Sequence, residues 1–136
     1  MDDISKASEI AVSGMKAQAE RLRVVSENLA NADSLPTGPD QQPYRRKVVT
    51  FRNVLDKSIG ADTVRVSKLD VDRSQFNKVY QPNHPAADAA GYVLTPNVNP
   101  LVELMDMREA ERSYQANMDV VTTSRSMLTN TINMLK

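Results

Sequence analysis

Each end of the chain carries an apolar stripe in which the spacing alternates between three and four residues. In residues 4–32 the stripe positions are Ile4, Ser8, Ala11, Met15, Gln18, Leu22, Val25, Leu29 and Ala32. In residues 104–135 they are Leu104, Met107, Glu111, Tyr114, Met118, Val121, Arg125, Leu128, Ile132 and Leu135. This heptad spacing is typical of a helix that buries a narrow seam against another helix. The sequence therefore predicts two long terminal helices that form a coiled coil.

Between the stripes the character of the chain changes. Helix breakers follow the first stripe at Pro36, Gly38, Pro39 and Pro43, so a loop is predicted there. Short runs of β-branched and aromatic residues then predict strands near residues 48–51, 64–67, 76–80 and 92–94. Asn99 is a favourable N-cap and Pro100 a favourable first helical residue, so we expect the second helix to begin at this point.

The predicted fold is mainly α, with a small, short-stranded β-rich unit inserted between the two helices. Four segments follow from this interpretation: an N-terminal helix over 1–33, a linker over 34–43, a β-rich unit over 44–96 and a C-terminal helix over 97–136. At 136 residues the chain has the length of one domain.

Composition excludes several classes of function. Seventeen acidic residues balance seventeen basic ones, so the net charge does not favour nucleic acid or an anionic membrane. The chain has no cysteine, which excludes disulfides and thiolate metal sites. The N-terminus lacks the pattern of a cleaved signal peptide, and no apolar run has the length of a membrane span. We therefore expect no nucleic-acid partner and no direct membrane insertion.

Candidate catalytic and metal-binding residues are few. His84 is the only histidine and lies in a proline-flanked loop, so it lacks the partners of a zinc site. The run from Asp70 resembles the start of a calcium loop, but Gln75 and Gln81 replace the glycine and the glutamate that such a loop requires. No glycine-rich phosphate loop is present. The sequence predicts no catalytic residue, no metal site and no cofactor.

Two features of the sequence have more than one interpretation. Arg45, Arg46 and Lys47 form a basic cluster that could protect a strand edge, contact another subunit or an acidic surface, or bind nucleic acid. The methionine-bearing second stripe could be a packing helix or a promiscuous apolar groove. Within that stripe, Glu111 and Arg125 either fix the helix register or mark where the seam turns outward.

Several motifs resemble those of the bacterial flagellar axial proteins of the rod and hook. They are Asn28-Leu29-Ala30-Asn31-Ala32-Asp33 at the end of the first helix, Tyr44-Arg45-Arg46-Lys47, Gly91-Tyr92-Val93-Leu94, Pro96-Asn97-Val98-Asn99, Glu103-Leu104-Met105-Asp106-Met107 and Tyr114-Gln115-Ala116-Asn117. The central motifs are more specifically similar to those of proximal rod subunits. The resemblance covers nearly the whole chain.

This resemblance implies a non-enzymatic structural subunit of the rod, a helically assembled drive shaft that crosses the periplasm in the flagellar basal body. It implies type III export without a cleaved signal peptide. The implied partners are other copies of the chain, other proximal and distal rod proteins, and base or export-gate proteins.

The stripe residues are the expected assembly contacts. Each stripe has more apolar surface than the small centre can cover, so we expect free subunits to have disordered ends that fold on assembly. An alternative hypothesis is a self-contained coiled-coil adaptor or export chaperone.

Overall fold

The computed structural model describes residues 2–135, with side chains from Asp3 onward. Met1 and Lys136, which belong to the predicted segments 1–33 and 97–136, lie outside the described residues. The elements in chain order are helix α1 (Asp2–Ala30), strands β1 (Lys47–Asp56), β2 (Ala61–Val71), β3 (Asn77–Tyr80) and β4 (Tyr92–Thr95), and helix α2 (Pro100–Met134). The prediction of two terminal helices around a small β region is confirmed.

The ends of both helices carry side chains that satisfy free backbone groups. At the end of α1 the Asn31 side chain donates from Nδ2 to the carbonyl oxygen of Glu27 at 2.8 Å. At the start of α2 the Asn99 Oδ1 accepts a hydrogen bond from the Leu101 amide at 3.1 Å. Asn99 is therefore the N-cap that its sequence position predicts, and α2 begins at Pro100.

The strands form two separate two-stranded sheets, β1 with β2 and β3 with β4. Only four residues connect β1 to β2. A parallel pair would need a much longer crossover connection, so β1 and β2 are antiparallel. Gly60, at φ +64°, closes this connection, and its backbone amide donates a hydrogen bond to the Asp56 carbonyl at 2.9 Å. β3 and β4 are antiparallel, with Asn77 opposite Thr95 and Tyr80 opposite Tyr92.

The chain divides into two compact units, which cut across the four predicted segments. The first unit contains the chain up to Leu22, residues Val49–Lys68 and the chain from Arg108 onward. The second contains Arg23–Val48 and Leu69–Met107. Whether the four predicted segments act as separate parts in an assembly stays a prediction.

In the first unit α1 lies against α2. A Cβ added at Gly14 would lie 2.8 Å from the Asn117 side chain, so glycine permits a close approach of the helices at this point. Arg21 and Glu109 lie 3.8 Å apart in an ion pair. The partner number falls as the α1 number rises, so the helices run antiparallel in this unit. The two terminal helices thus contact each other within one subunit, and the expectation of disordered free ends did not include this contact.

The second unit has its own small apolar core. Its fully buried or nearly buried apolar side chains are Val24, Val25, Ala86, Val93 and Val98. β4 supplies Val93, whereas all four residues of β3 are exposed. The loop between these strands passes through Gly91 at φ +85°, where an added Cβ would lie 2.8 Å from the Tyr80 ring. Glycine at this position serves both the backbone conformation and the space.

Candidate functional site: a buried polar joint and an exposed row of α2

A cluster of polar side chains is buried in the second unit where the end of α1, the segment before β1 and the start of α2 meet. We call it the polar joint; its members are Asn28, Tyr44, Arg46, Lys47 and Glu103. Asn28 and Glu103 are fully buried. All five belong to motifs that carry the resemblance, and their contacts give those motifs a structural role.

Asn28 uses its full hydrogen-bonding capacity inside the polar joint. Its Nδ2 donates to the Lys47 carbonyl at 2.9 Å and to Glu103 Oε2 at 3.1 Å. Its Oδ1 accepts from the Lys47 amide and from the Tyr44 hydroxyl, both at 2.8 Å. An amide side chain offers two donors and two acceptor positions, so all four are satisfied. Only asparagine or glutamine supplies this set, and glutamine is one methylene longer.

Arg46 supplies the positive charge that accompanies the buried Glu103 carboxylate. Its Nε lies 2.5 Å from Glu103 Oε1, and its Nη2 lies 3.4 Å from Asp106 Oδ2. The Arg46 amide also donates to Asn97 Oδ1 at 2.9 Å. A buried charge is tolerated when it is paired and hydrogen-bonded. Glu103 meets this condition through Arg46 and Asn28.

Tyr44 has its hydroxyl in an acidic and partly buried environment. Burial, together with the negative charges of Glu27 and Glu103, raises the pKa of Tyr44 to about 12. Lys47 pairs with Glu27 and lies 5.9 Å from the centre of the Tyr44 ring. The phenol therefore stays protonated over a wide pH range, as its donation to Asn28 requires.

The basic cluster of the sequence is thus largely engaged inside its own chain. Arg46 and Lys47 form the ion pairs just described, and the Arg45 guanidinium lies 4.1 Å from the centre of the Phe76 ring. Arg45 also donates to the carbonyl oxygens of Asp72 and Ser74, each at 3.2 Å. None of the interpretations of the basic cluster drawn from sequence included these ion pairs, hydrogen bonds and ring contact within the chain.

Helix α2 carries three rows of residues spaced by seven, which differ in burial and chemistry. The inner row is buried or half-buried and consists of Glu103, Ala110, Asn117, Ser124 and Thr131. The shared row is half-buried and consists of Met107, Tyr114, Val121 and Leu128. The outer row is exposed and consists of Leu104, Glu111, Met118, Arg125 and Ile132.

The predicted stripe of α2 combines the shared row with the outer row, whereas the chain itself covers the shared row and the inner row. Leu104, Met118 and Ile132 are 44%, 36% and 49% exposed. Leu101, Met105 and Leu135 are also exposed. The outer row thus exposes three apolar side chains, separated by the charged residues Glu111 and Arg125. All stripe positions of α1, among them Ile4, Met15, Leu22, Val25 and Leu29, are at least half-buried.

The remaining motif residues have structural positions of different kinds. Asn97 links the segment before β1 to residue 72, since its Nδ2 donates to the Asp72 carbonyl at 3.0 Å. Ala30 is the last residue of α1, and Gln115 donates to Asp119 along the exposed side of α2. Tyr92 is exposed and its ring centre lies 5.3 Å from that of Tyr80.

Sequence reasoning did not single out Glu103 as a site residue, although it quoted Glu103 within a motif. An acidic residue in the first turn of a helix is normally assigned to the favourable end of the helix dipole. Its position seven residues before Ala110 and fourteen before Asn117 is the signal that could have placed it on the inner row.

The described residues also bear on metal binding and on membrane-spanning helices. Among residues 2–135 there is no group of three or more His, Asp or Glu side chains that could hold a metal ion. Neither described helix is long and apolar enough to cross a membrane.

Comparison with known families identifies the class of protein. Residues 9–34 match the model described as flagella basal body rod protein. Residues 89–134 match the model described as flagellar basal body rod FlgEFG protein C-terminal. The two matches cover most of α1 and α2, and both describe flagellar rod proteins.

Individual relatives narrow the class to one family. The chain is 52% identical to the flagellar basal-body rod protein FlgC of Agrobacterium fabrum, over 100% of this chain and 98% of the relative. It is 48% identical to FlgC of Escherichia coli O6:H1, over 91% and 92% of the two chains. It is 38% identical to FlgC of Bacillus subtilis, over 88% and 89%. The chain belongs to the family of flagellar basal-body rod proteins FlgC.

Proposed function

We propose that the chain is a structural subunit of the flagellar basal-body rod and that the outer row of α2 is its main surface for binding neighbouring subunits. The observation that carries this proposal is the exposure of Leu104, Met118 and Ile132 on one row of a helix that already covers its inner row. Full burial of such a side chain from an exposed state contributes roughly 1.5–3 kcal/mol, and these three have about a third to a half of their surface left to bury. The adaptor or export chaperone has no support among the relatives, which are all named as rod proteins.

The polar and apolar rows would have separate tasks in such an assembly. The polar joint holds the end of α1, the segment before β1 and the start of α2 in one arrangement. The outer row then offers a preformed apolar surface to a second helix, in the manner of coiled-coil packing between subunits. Copies joined through two different surfaces by a rotation that does not close produce a helical filament. A helical filament whose subunits are each held in one arrangement by the polar joint is suited to transmit torque.

The motif resemblance alone supports three finer inferences. We infer that the subunit belongs to the proximal rod, that it reaches the periplasm by type III export without a cleaved signal, and that it contacts other rod proteins and the export-gate or base proteins below. No enzymatic step belongs to this function.

A matched pair of substitutions on α2 tests the outer row. Met118→Asp places a charge on the outer row, and Ala116→Asp places the same charge two residues earlier, nearly on the opposite side of the helix. In cells that lack their own copy, we expect Met118→Asp to abolish swimming and to be missing from isolated basal bodies, while Ala116→Asp supports both. Equal swimming of the two strains, or equal loss, would contradict the role of the outer row. Secretion of Met118→Asp into the medium would show that synthesis and export are intact.

A further inference from the structure

Strand β3 has an edge that no other strand covers within residues 2–135, because its sheet contains only β3 and β4. The Gln81 amide bonds to the Gly91 carbonyl at 2.9 Å, which extends the ladder by one pair. Along an antiparallel strand, the backbone N–H and C=O groups of successive residues point alternately toward and away from the partner strand. The backbone groups of Asn77 and Val79 therefore bond to β4. Those of Lys78 and Tyr80 point away from β4. The outer edge therefore offers two amides and two carbonyls.

The opposite strand supports this assignment. Tyr92 pairs with Tyr80, and its carbonyl accepts from the Asp88 amide at 2.8 Å while its own amide donates to Asp88 Oδ1 at 2.9 Å. Both groups of Tyr92 thus point away from β3. The loop before β4 covers the far edge of the sheet, whereas no backbone hydrogen bond from the rest of residues 2–135 reaches the edge of β3 at Lys78 and Tyr80.

A basic cavity of about 420 Å³ lies beside this edge. It is lined by Arg45, Arg73, Ser74, Gln75, Phe76, Lys78 and Leu94. Three of these side chains are cationic, and none of the described lining residues is acidic. The Arg45 guanidinium is held over the Phe76 ring. Arg73 and Lys78 form no ion pair among the side chains of residues 3–135. The backbone amides of Tyr92 and Ala90, together with the charge of Lys78, lower the pKa of Asp88, so of the two cations only Arg73 has no acidic residue acting with it among these residues.

The cavity and the edge share one residue, Lys78. Its side chain lines the cavity together with Leu94, its partner in the ladder, and its backbone groups lie on the outer edge. A lysine on a short edge strand ordinarily discourages pairing with other strands. The same lysine would favour a strand that brings carboxylates, because opposite charges on neighbouring strands stabilise the pair.

We propose that the edge of β3 and the basic cavity beside it bind an extended, acidic segment of another polypeptide as an added strand. The backbone of the segment bonds to Lys78 and Tyr80. Carboxylates at alternate positions lie on the face of Lys78 and Phe76, since side chains of a strand alternate between faces. This mode of recognition takes affinity from the main chain and specificity from the side chains.

The experiment uses the purified full chain and a synthetic octapeptide that alternates valine and aspartate, so its outcome does not depend on rod assembly. Backbone amide exchange is followed by NMR with and without peptide. We expect slower exchange at Lys78 and Tyr80 and no change at Asn77 and Val79, whose amides already bond to β4. Binding with a Kd above about 1 mM, or binding without this alternation, would overturn the proposal. The second result would point to an anionic polymer held by charge alone.

Charge variants test the side-chain half of the proposal. Lys78→Glu and Arg73→Glu should each weaken binding of the aspartate peptide by about tenfold, whereas Lys57→Glu, an exposed lysine in the β1–β2 turn, should leave it unchanged. The peptide with asparagine in place of aspartate should bind about tenfold more weakly to the unchanged chain. Equal binding of the two peptides would overturn the requirement for acidic residues. A Lys78→Gln variant, which adds no repulsive charge, should lie between Lys78→Glu and the unchanged chain.

Discussion

The polar joint and the outer row of α2 meet at neighbouring residues, Glu103 and Leu104, and differ in almost every respect. The polar joint is buried, charged and satisfied by partners inside its own chain. The outer row is largely apolar and exposed. A side chain whose partners are present stabilises the subunit, whereas one whose partners are missing can contribute only after another molecule arrives. The comparison therefore separates residues that stabilise the fold from residues that we propose to bind neighbouring subunits.

The largest expected effect on the fold comes from Arg46→Ala. This change leaves the buried Glu103 carboxylate without its cation, and loss of one partner of a buried pair is strongly destabilising. Arg46 keeps 21% exposure, so we expect a loss at the lower end, about 3 kcal/mol in the free energy of unfolding. Urea unfolding measures it, with Arg52→Ala, an exposed arginine of β1, as the control. If Arg46→Ala and Arg52→Ala lower the free energy of unfolding equally, the ion pair of Arg46 with Glu103 does not stabilise the fold.

Asn28→Asp tests the hydrogen bonds of the polar joint with almost no change in shape. The new carboxylate has no donors, so Glu103 Oε2 and the Lys47 carbonyl each lose a bond. Two carboxylates would also lie next to each other. We expect a loss of about 2 kcal/mol in the free energy of unfolding. Asn53→Asp, an exposed change of the same kind in β1, should be nearly neutral, and a similar loss from both would mean that the bonding pattern is not the cause.

The sequence predicted the α1 side of this structure better than the α2 side. Every stripe position of α1 is at least half-buried, because the stripe of α1 faces its own chain. On α2 the heptad pattern identifies the apolar rows, but the row that the chain covers contains Glu103, Ala110 and Asn117. Apolar spacing cannot reveal that a small or polar row lies inward when the cause is a glycine on the facing helix or an ion pair.

The polar joint was beyond prediction for a related reason. The motif resemblance named Asn28, Tyr44, Arg46 and Lys47, but it could not supply their contacts. Asn28 bonds to Lys47, 19 residues away, and to Glu103, 75 residues away. Pairings over such distances depend on how the elements pack, whereas the caps and breakers act within a few residues. Local signals such as Asn99 and Pro100 therefore predicted the start of α2 well, whereas β1 and β2 extend beyond the short runs predicted for them.

A smaller effect is expected from Tyr44→Phe, which removes the hydroxyl donor to Asn28. Below pH 10 we expect a loss of about 1 kcal/mol in the free energy of unfolding. A tyrosine of the unfolded chain loses its proton near pH 10.0, whereas Tyr44 in the fold keeps it until its pKa of about 12. Between these values the unfolded state binds fewer protons, so the stability of the unchanged chain falls as pH rises. The difference from Tyr44→Phe should narrow over this range in pH-dependent urea titrations, and a constant difference would contradict the raised pKa.

The smallest expected effect on the fold belongs to the outer row. Met118 is 36% exposed in the free subunit and lies on the side of α2 away from the inner row, so the free energy of unfolding of Met118→Asp should stay within about 0.5 kcal/mol of the unchanged chain. The same variant is the one expected to abolish assembly. Circular dichroism gives a second measurement, on the unchanged chain. Its helix content should rise on polymerisation if its free ends are partly unfolded.

A large loss in the free energy of unfolding of the free Met118→Asp subunit would show that Met118 already has a partner inside the chain. The separation between residues of the fold and residues of the assembly would then fail at Met118.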